Sequence, residues 1–97
     1  LVAARHFVRL AASKIDSKHS EATVYSAMAK RFATDVGFNV CNEALQIFGG
    51  YGYLQEFPLE RYVRDVRVHQ ILEGTNEIMR MIIGRRMLME GATEIIQ

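Results

Sequence analysis

A single cysteine, Cys41, rules out an internal disulfide framework. The three histidines, His6, His19 and His69, are scattered without metal-ligand spacing, so no metal site is expected. No apolar run approaches the ~18 residues that a membrane-spanning helix needs. Twelve basic and 11 acidic residues leave a formal net charge of +1, which gives no electrostatic argument for nucleic acid or for a membrane surface. Strand-type alternation is nowhere sustained, and no repeat, low-complexity tract or linker divides the chain. With 97 residues it forms one domain at most. A chain of that size buries roughly 60–70% of the surface it would expose unfolded, so a core is possible but not generous. No signal peptide is visible. The chain opens at Leu1 without methionine and already in a helical pattern, so the expectation is a fragment whose N-terminus, with any targeting information, lies upstream.

What is present is helical periodicity. Ala3, Phe7, Leu10, Ala11 and Ile15 recur at steps of three and four, which predicts a helix over residues 1–15. Asp16 to Ser20 reads as a polar turn, with Ser20 as the N-cap of the next helix. Tyr25, Met28, Ala29, Phe32, Val36, Val40, Ala44, Leu45 and Phe48 then form one long stripe, with Lys30, Arg31, Asp35 and Glu43 mostly on the other side. Cys41 falls on that stripe and reads as an inert core thiol. A loop is expected from Gly49 to Phe57. Pro58 suits the first turn of a short helix that turns Leu59, Tyr62, Val63 and Val66 inward. A second loop, Gln70 to Gly74, precedes a last helix capped by Thr75 or Asn76, with Ile78, Met79, Ile82, Ile83 and Met87 on its apolar face. Met79, Met81, Met87 and Met89 read as packing. Arg61, Arg64 and Arg67 step along one face beside Glu60 and Asp65, a solvated or ion-paired face rather than a nucleic-acid patch. The expected fold class is all-α, a helical bundle.

Two loops carry candidate chemistry. In Gln46-Ile47-Phe48-Gly49-Gly50-Tyr51-Gly52, clustered glycines can let a backbone approach a ligand and offer N–H groups to a pyrophosphate. The plainer reading is a helix stop followed by a tight turn, and no strand precedes it as a dinucleotide fingerprint would require. In Leu72-Glu73-Gly74-Thr75-Asn76-Glu77, a carboxylate at the end of an apolar approach can be partly desolvated, which would make it a better base. The helix start just beyond it favours the anion instead. The plainer reading there is that Glu73 or Glu77 complements the helix dipole.

Taken together, the loops are more specific. Gln46-x-x-Gly49-Gly50-x-Gly52, then Tyr62-x-Arg64-Asp65, then Ile71-Leu72-Glu73-Gly74-Thr75-x-Glu77, with Arg80 and Gly84-Arg85 beyond, resembles the acyl-CoA dehydrogenase family. The resemblance runs from about Ala27 to Leu88 and more loosely back to Leu1. It implies that residues 1–97 are a partial C-terminal helical domain, without the N-terminal helical and middle β-domains of that family. It implies FAD as cofactor, an acyl-CoA substrate, and Glu73 as the base that takes the α-proton while a hydride leaves the β-carbon for the flavin. The Glu73 N–H would help polarise the thioester carbonyl, Gly74 would lie beside the substrate, and Arg85 would approach its CoA part. Thr75, Asn76 and Glu77 would line the flavin side. Gln46, Ile47, Phe48, Gly49 and Gly50 would reach the FAD of a neighbouring subunit.

The partners implied are other copies of the chain in a homotetramer and an electron-transfer flavoprotein as acceptor, in a mitochondrial matrix or bacterial cytoplasm. The run Val63 to Leu72 looks most like the isobutyryl-CoA or short-branched-chain group. A glutamate at position 73 argues against the isovaleryl-CoA relatives, which carry alanine there. The rival readings are an acyl-CoA oxidase fragment, which would pass electrons to oxygen, and a non-catalytic helical oligomerisation module.

Overall fold

Apolar residues at helical steps, interrupted by breakers in only three short segments, give four α-helices. The computed structural model describes residues 1–89, which form α1 (Val2–Asp16), α2 (Ala22–Phe48), α3 (Leu59–His69) and α4 (Asn76–Met89), with a short 3₁₀ helix at Gly49–Tyr53. No strand occurs among the described residues, so the fold is all-α as expected. The tail beyond Gly91, unspecified by the sequence pattern, lies outside them. No described helix is long and apolar enough to cross a membrane.

Helix α2 is the spine. At 27 residues it extends roughly 40 Å, most of the 49 Å long axis of the molecule, which is 22 Å across in both other directions. Helices α1, α3 and α4 and the 3₁₀ helix all pack against it. The turn into α2 differs from expectation. The helix begins at Ala22, and no side chain caps it; the Glu21 N–H instead donates to Nδ1 of His19 at 3.0 Å.

The inward faces are rotated from the sequence reading. On α1, Ala4, Phe7, Ala11 and Lys14 turn toward α2, while Ala3, Leu10 and Ile15 are exposed. The Phe7 ring meets Phe32 of α2 at 6.0 Å between centroids. Tyr62 on α3, Val40 and Phe48 on α2 and Ile78 on α4 are likewise exposed. Met79 and Met87 are partly buried, but Met81 and Met89 are not. Cys41 is half-buried, lining an apolar groove of 230 Å³ with Leu1, Ala33, Val36 and Val66 rather than sitting in a core. On α3, Arg61 pairs with Asp65 at 3.4 Å and the Arg67 guanidinium lies 6.0 Å from the Phe38 ring centre.

These displacements share a cause. One helix cannot cover both sides of the three that lean on it, so each keeps a second apolar face uncovered. Among the described residues only Ala11, Val24, Ala27 and Ala29 are buried apolar side chains, and only Val24 is fully enclosed. The radius of gyration of 16.1 Å exceeds the ~12.5 Å of a compact chain this long. Helix α4 shows the same thing locally. Met79, Ile82, Ile83 and Met87 lean inward, whereas Ile78, Met81 and Leu88 are exposed. With apolar side chains on an exposed side as well as the inner one, α4 carries more apolar surface than this chain covers.

Candidate functional site

The loop between α3 and α4 is closed by its own backbone. The Val68 carbonyl accepts the N–H groups of Ile71 and Leu72, both at 2.9 Å, and the Gln70 carbonyl accepts the Asn76 N–H at 3.0 Å. Within this ring Glu73 and Gly74 take left-handed backbone, with φ of +58° and +94°. Glycine adopts that conformation freely, but a residue with a Cβ pays about 1–2 kcal/mol. Thr75 Oγ1 then accepts the Ile78 N–H at 3.3 Å, which makes Thr75 the side-chain cap of α4.

A polar cluster on α2 grips the loop from beneath. Lys30 Nζ donates to the Gly74 carbonyl at 2.9 Å and to Asn76 Oδ1 at 2.6 Å. Asn76 Nδ2 donates to Thr34 Oγ1 at 2.8 Å and to Asp35 Oδ1 at 2.7 Å, and Gln70 Nε2 reaches the same Asp35 oxygen at 2.8 Å. Arg31 and Arg80 each approach Asp35 Oδ2 at 3.5 Å. Partial burial pushes the Asp35 carboxyl up, but the hydrogen bonds from Gln70 and Asn76 and the Arg31 and Arg80 guanidiniums outweigh it and hold it below its ordinary value.

The candidate residues fall into distinct positions. Glu73 is exposed in this chain, so the expected desolvation of its carboxylate is not provided by these helices. Gly74 is exposed beside it. Asn76, expected on the flavin side, is instead 2% exposed and turned into α2 with its amide engaged at both ends. Thr75 is partly buried as the cap. Glu77 is exposed and pairs with Arg80 at 3.6 Å. Arg85 is exposed further along α4.

The second loop splits the alternatives that its glycines left open. Gly49 ends α2 with φ +60°, ψ −138°, a conformation left to glycine. Gly52 is buried because the chain folds back on α2. A Cβ there would lie 2.8 Å from the Leu45 carbonyl oxygen and 2.9 Å from Leu45 Cγ. Phe57 holds this fold, with ring centroids 5.8 Å from both Phe48 and Tyr51. Those two glycines are structural. Gly50 is not constrained in this way. A Cβ on Gly49 or Gly50 would meet nothing within 4 Å, and Gln46, Ile47, Gly49 and Gly50 are all exposed, Ile47 by 85%. An open glycine backbone beside an amide and an apolar side chain fits one edge of a dinucleotide such as FAD.

The two loops do not converge. Asp35, under the first, and Gln46, at the second, are separated by eleven residues of continuous helix, roughly 16 Å along α2. The residues missed by the sequence reading are Lys30, Thr34, Asp35 and Gln70. Lys30, Arg31 and Asp35 were placed only on the side away from the apolar stripe, and the only available signal was that four polar side chains at 30, 31, 34 and 35 share one side of a long helix.

Residues 1–88 match the family model described as acyl-CoA dehydrogenase, C-terminal domain. The mitochondrial isobutyryl-CoA dehydrogenase of Bos taurus is 54% identical over 90 residues, covering 93% of this chain and 22% of that protein. Butyryl-CoA dehydrogenase from Megasphaera elsdenii superposes with a TM-score of 0.83 at 48% identity, over 89% of this chain and 22% of that one. A chain in a structure described as an electron transferring flavoprotein of Acidaminococcus fermentans matches with a TM-score of 0.84 at 45% identity, over 90% and 23%. The chain thus spans about a fifth of the length of the relatives it matches.

Proposed function

This chain belongs to the acyl-CoA dehydrogenase family, matching its C-terminal domain, and from that premise we propose that it is the C-terminal helical part of a flavin-dependent enzyme converting acyl-CoA thioesters to 2-enoyl-CoA. The observation that carries the proposal is Glu73 itself. It is an exposed carboxylate in left-handed backbone, on a loop pinned to the spine helix by Lys30 and Asn76. Its side chain is exposed, facing whatever covers this surface.

In that role Glu73 accepts the α-proton of the substrate, and the electron pair of the broken C–H bond becomes the new Cα–Cβ π bond as the β-hydride departs. Bound FAD supplies the hydride acceptor. The Glu73 N–H donates to the thioester carbonyl oxygen and stabilises the charge that develops there. Gly74 leaves room beside the acyl group, and Arg85 offers a cation to the CoA part. Thr75 and Glu77 stand on the flavin side, while Asn76 acts indirectly by shaping the loop. The 54% identity to a mitochondrial isobutyryl-CoA dehydrogenase favours a short branched acyl group. Anaerobic addition of acyl-CoA to the full-length holoenzyme should bleach the flavin band, with turnover requiring an electron-transfer flavoprotein. Oxygen consumption would instead indicate an oxidase, and no bleaching would leave a helical module without the chemistry.

Assembly belongs to the same reading. The roughly 16 Å between the two loops supports Gln46–Gly50 serving a cofactor held mainly by an adjacent subunit of a homotetramer. Cofactor binding and association are then linked, each strengthening the other. Gln46→Ala or Gly50→Asp should weaken FAD retention, and removing FAD should loosen the oligomer in light scattering. A monomeric holoenzyme would refute the shared site while leaving the role of Glu73 intact.

A further inference from the structure

We propose that Lys30 is a positioning residue for the base, acting with Thr34 and Asp35 of α2 to hold Glu73 in its left-handed conformation. The inference rests on the reading of Glu73 given above and extends it to residues of the spine helix outside both motif loops.

The geometry of the loop is over-determined from one side. Glu73 sits between two anchors. Before it, Gln70 is tied to Asp35 by its side chain at 2.8 Å; after it, Gly74 is tied to Lys30 by its carbonyl at 2.9 Å. Asn76 then links all three α2 residues, accepting from Lys30 and donating to Thr34 and Asp35. Every anchor falls within residues 30–35, about a turn and a half of one rigid helix. The ion pairs complete the arrangement, since Asp35 carries the charge that Arg31 and Arg80 approach and so ties α4 to α2 directly beneath the loop.

The charge on Lys30 has a second consequence. Its ammonium polarises the Gly74 carbonyl and so fixes the plane of the peptide that follows Gly74. Without it, nothing among the described contacts holds that carbonyl, and the two adjacent left-handed residues keep only the loop's backbone bonds and the Gln70 and Asn76 anchors as restraints. Relaxing those residues swings the Glu73 side chain. A carboxylate displaced by about 1 Å loses on the order of 100-fold in proton transfer, so partial loss of the anchor is visible in rate before it is visible in fold.

The test uses the full-length holoenzyme and rapid-mixing absorbance of the flavin band at saturating acyl-CoA. Lys30→Met keeps most of the length of the side chain and removes its charge. The expected result is a limiting rate of flavin reduction lower by on the order of 10-fold, with FAD content and acyl-CoA dissociation constant unchanged, and partial recovery in Lys30→Arg. In the double variant Lys30→Met/Glu73→Gln the rate should equal that of Glu73→Gln alone, because a positioning residue has no effect once its client is gone.

A wild-type rate in Lys30→Met overturns the proposal. So do effects that multiply in the double variant, or a fall in rate that comes with loss of FAD or of substrate affinity. If Lys30→Met does not fold, Thr34→Val removes one acceptor of Asn76 at nearly constant volume. It should show the same rate-only pattern at smaller size, and a wild-type rate there overturns the proposal equally. A wild-type rate in the single variant Glu73→Gln is a different failure, because it removes the base assignment on which this inference stands.

Discussion

Replacing Glu73 by Gln in the full-length holoenzyme should slow flavin reduction by acyl-CoA at least ~10²–10⁴-fold while FAD stays bound. The substitution keeps the size of the side chain and removes its capacity to accept a proton. Among the described residues, no hydrogen bond or ion pair that holds the loop passes through the Glu73 side chain. The anchors are the Gly74 carbonyl, the Asn76 side chain and N–H, and the Gln70 side chain and carbonyl. The loop should therefore keep its shape, and the loss should appear in the chemical step alone. The neighbouring carboxylates are poor substitutes. Asp35 is engaged with Gln70, Asn76, Arg31 and Arg80, and Glu77 pairs with Arg80 one helical turn further on. Rapid-mixing absorbance is the measurement, and near-wild-type reduction in Glu73→Gln would sink the assignment.

The isolated 97-residue chain should retain no FAD through gel filtration and should dehydrogenate no acyl-CoA. In the proposed reading it contributes a base and one edge of a cofactor site, and a catalytic constellation acts only when its groups are held to within about half an ångström. The fold adds a second expectation that the sequence alone did not suggest. A core of Ala11, Val24, Ala27 and Ala29, beneath exposed Leu1, Ile47, Met81 and Leu88, is too thin to bury the apolar faces of its own helices. The isolated chain should be helical by circular dichroism yet self-associate in light scattering, as uncovered apolar surface does. Stoichiometric FAD on the purified chain, or a strictly monomeric chain with a sharp cooperative melt, would contradict this account.

Local signals made the helical class and the order of the helices readable. Apolar spacing located α1 to α4 to within one or two residues, because a helix buries a stripe whatever it packs against. Pro58 stands directly before α3, and Thr75 caps α4, since both effects act within a few residues of one chain segment. The order of the two loop motifs was equally local, and it was enough to point to the family.

Orientation was a different matter. Which of two apolar faces on α1 and α4 turns inward depends on α2, a partner distant in sequence, so Ala3, Leu10, Ile15 and Ile78 were assigned to a core that does not cover them. The roles of Lys30, Asp35 and Asn76 were hidden for the same reason. Their spacing along the chain, more than 40 residues between Lys30 and Gly74, leaves no trace in periodicity. Sequence alone determined that a glutamate followed by a glycine stands just before a helix. Only the tertiary structure decided how the Glu73 loop is anchored, because the groups that grip the Gly74 carbonyl and the Gln70 and Asn76 side chains sit on a different helix.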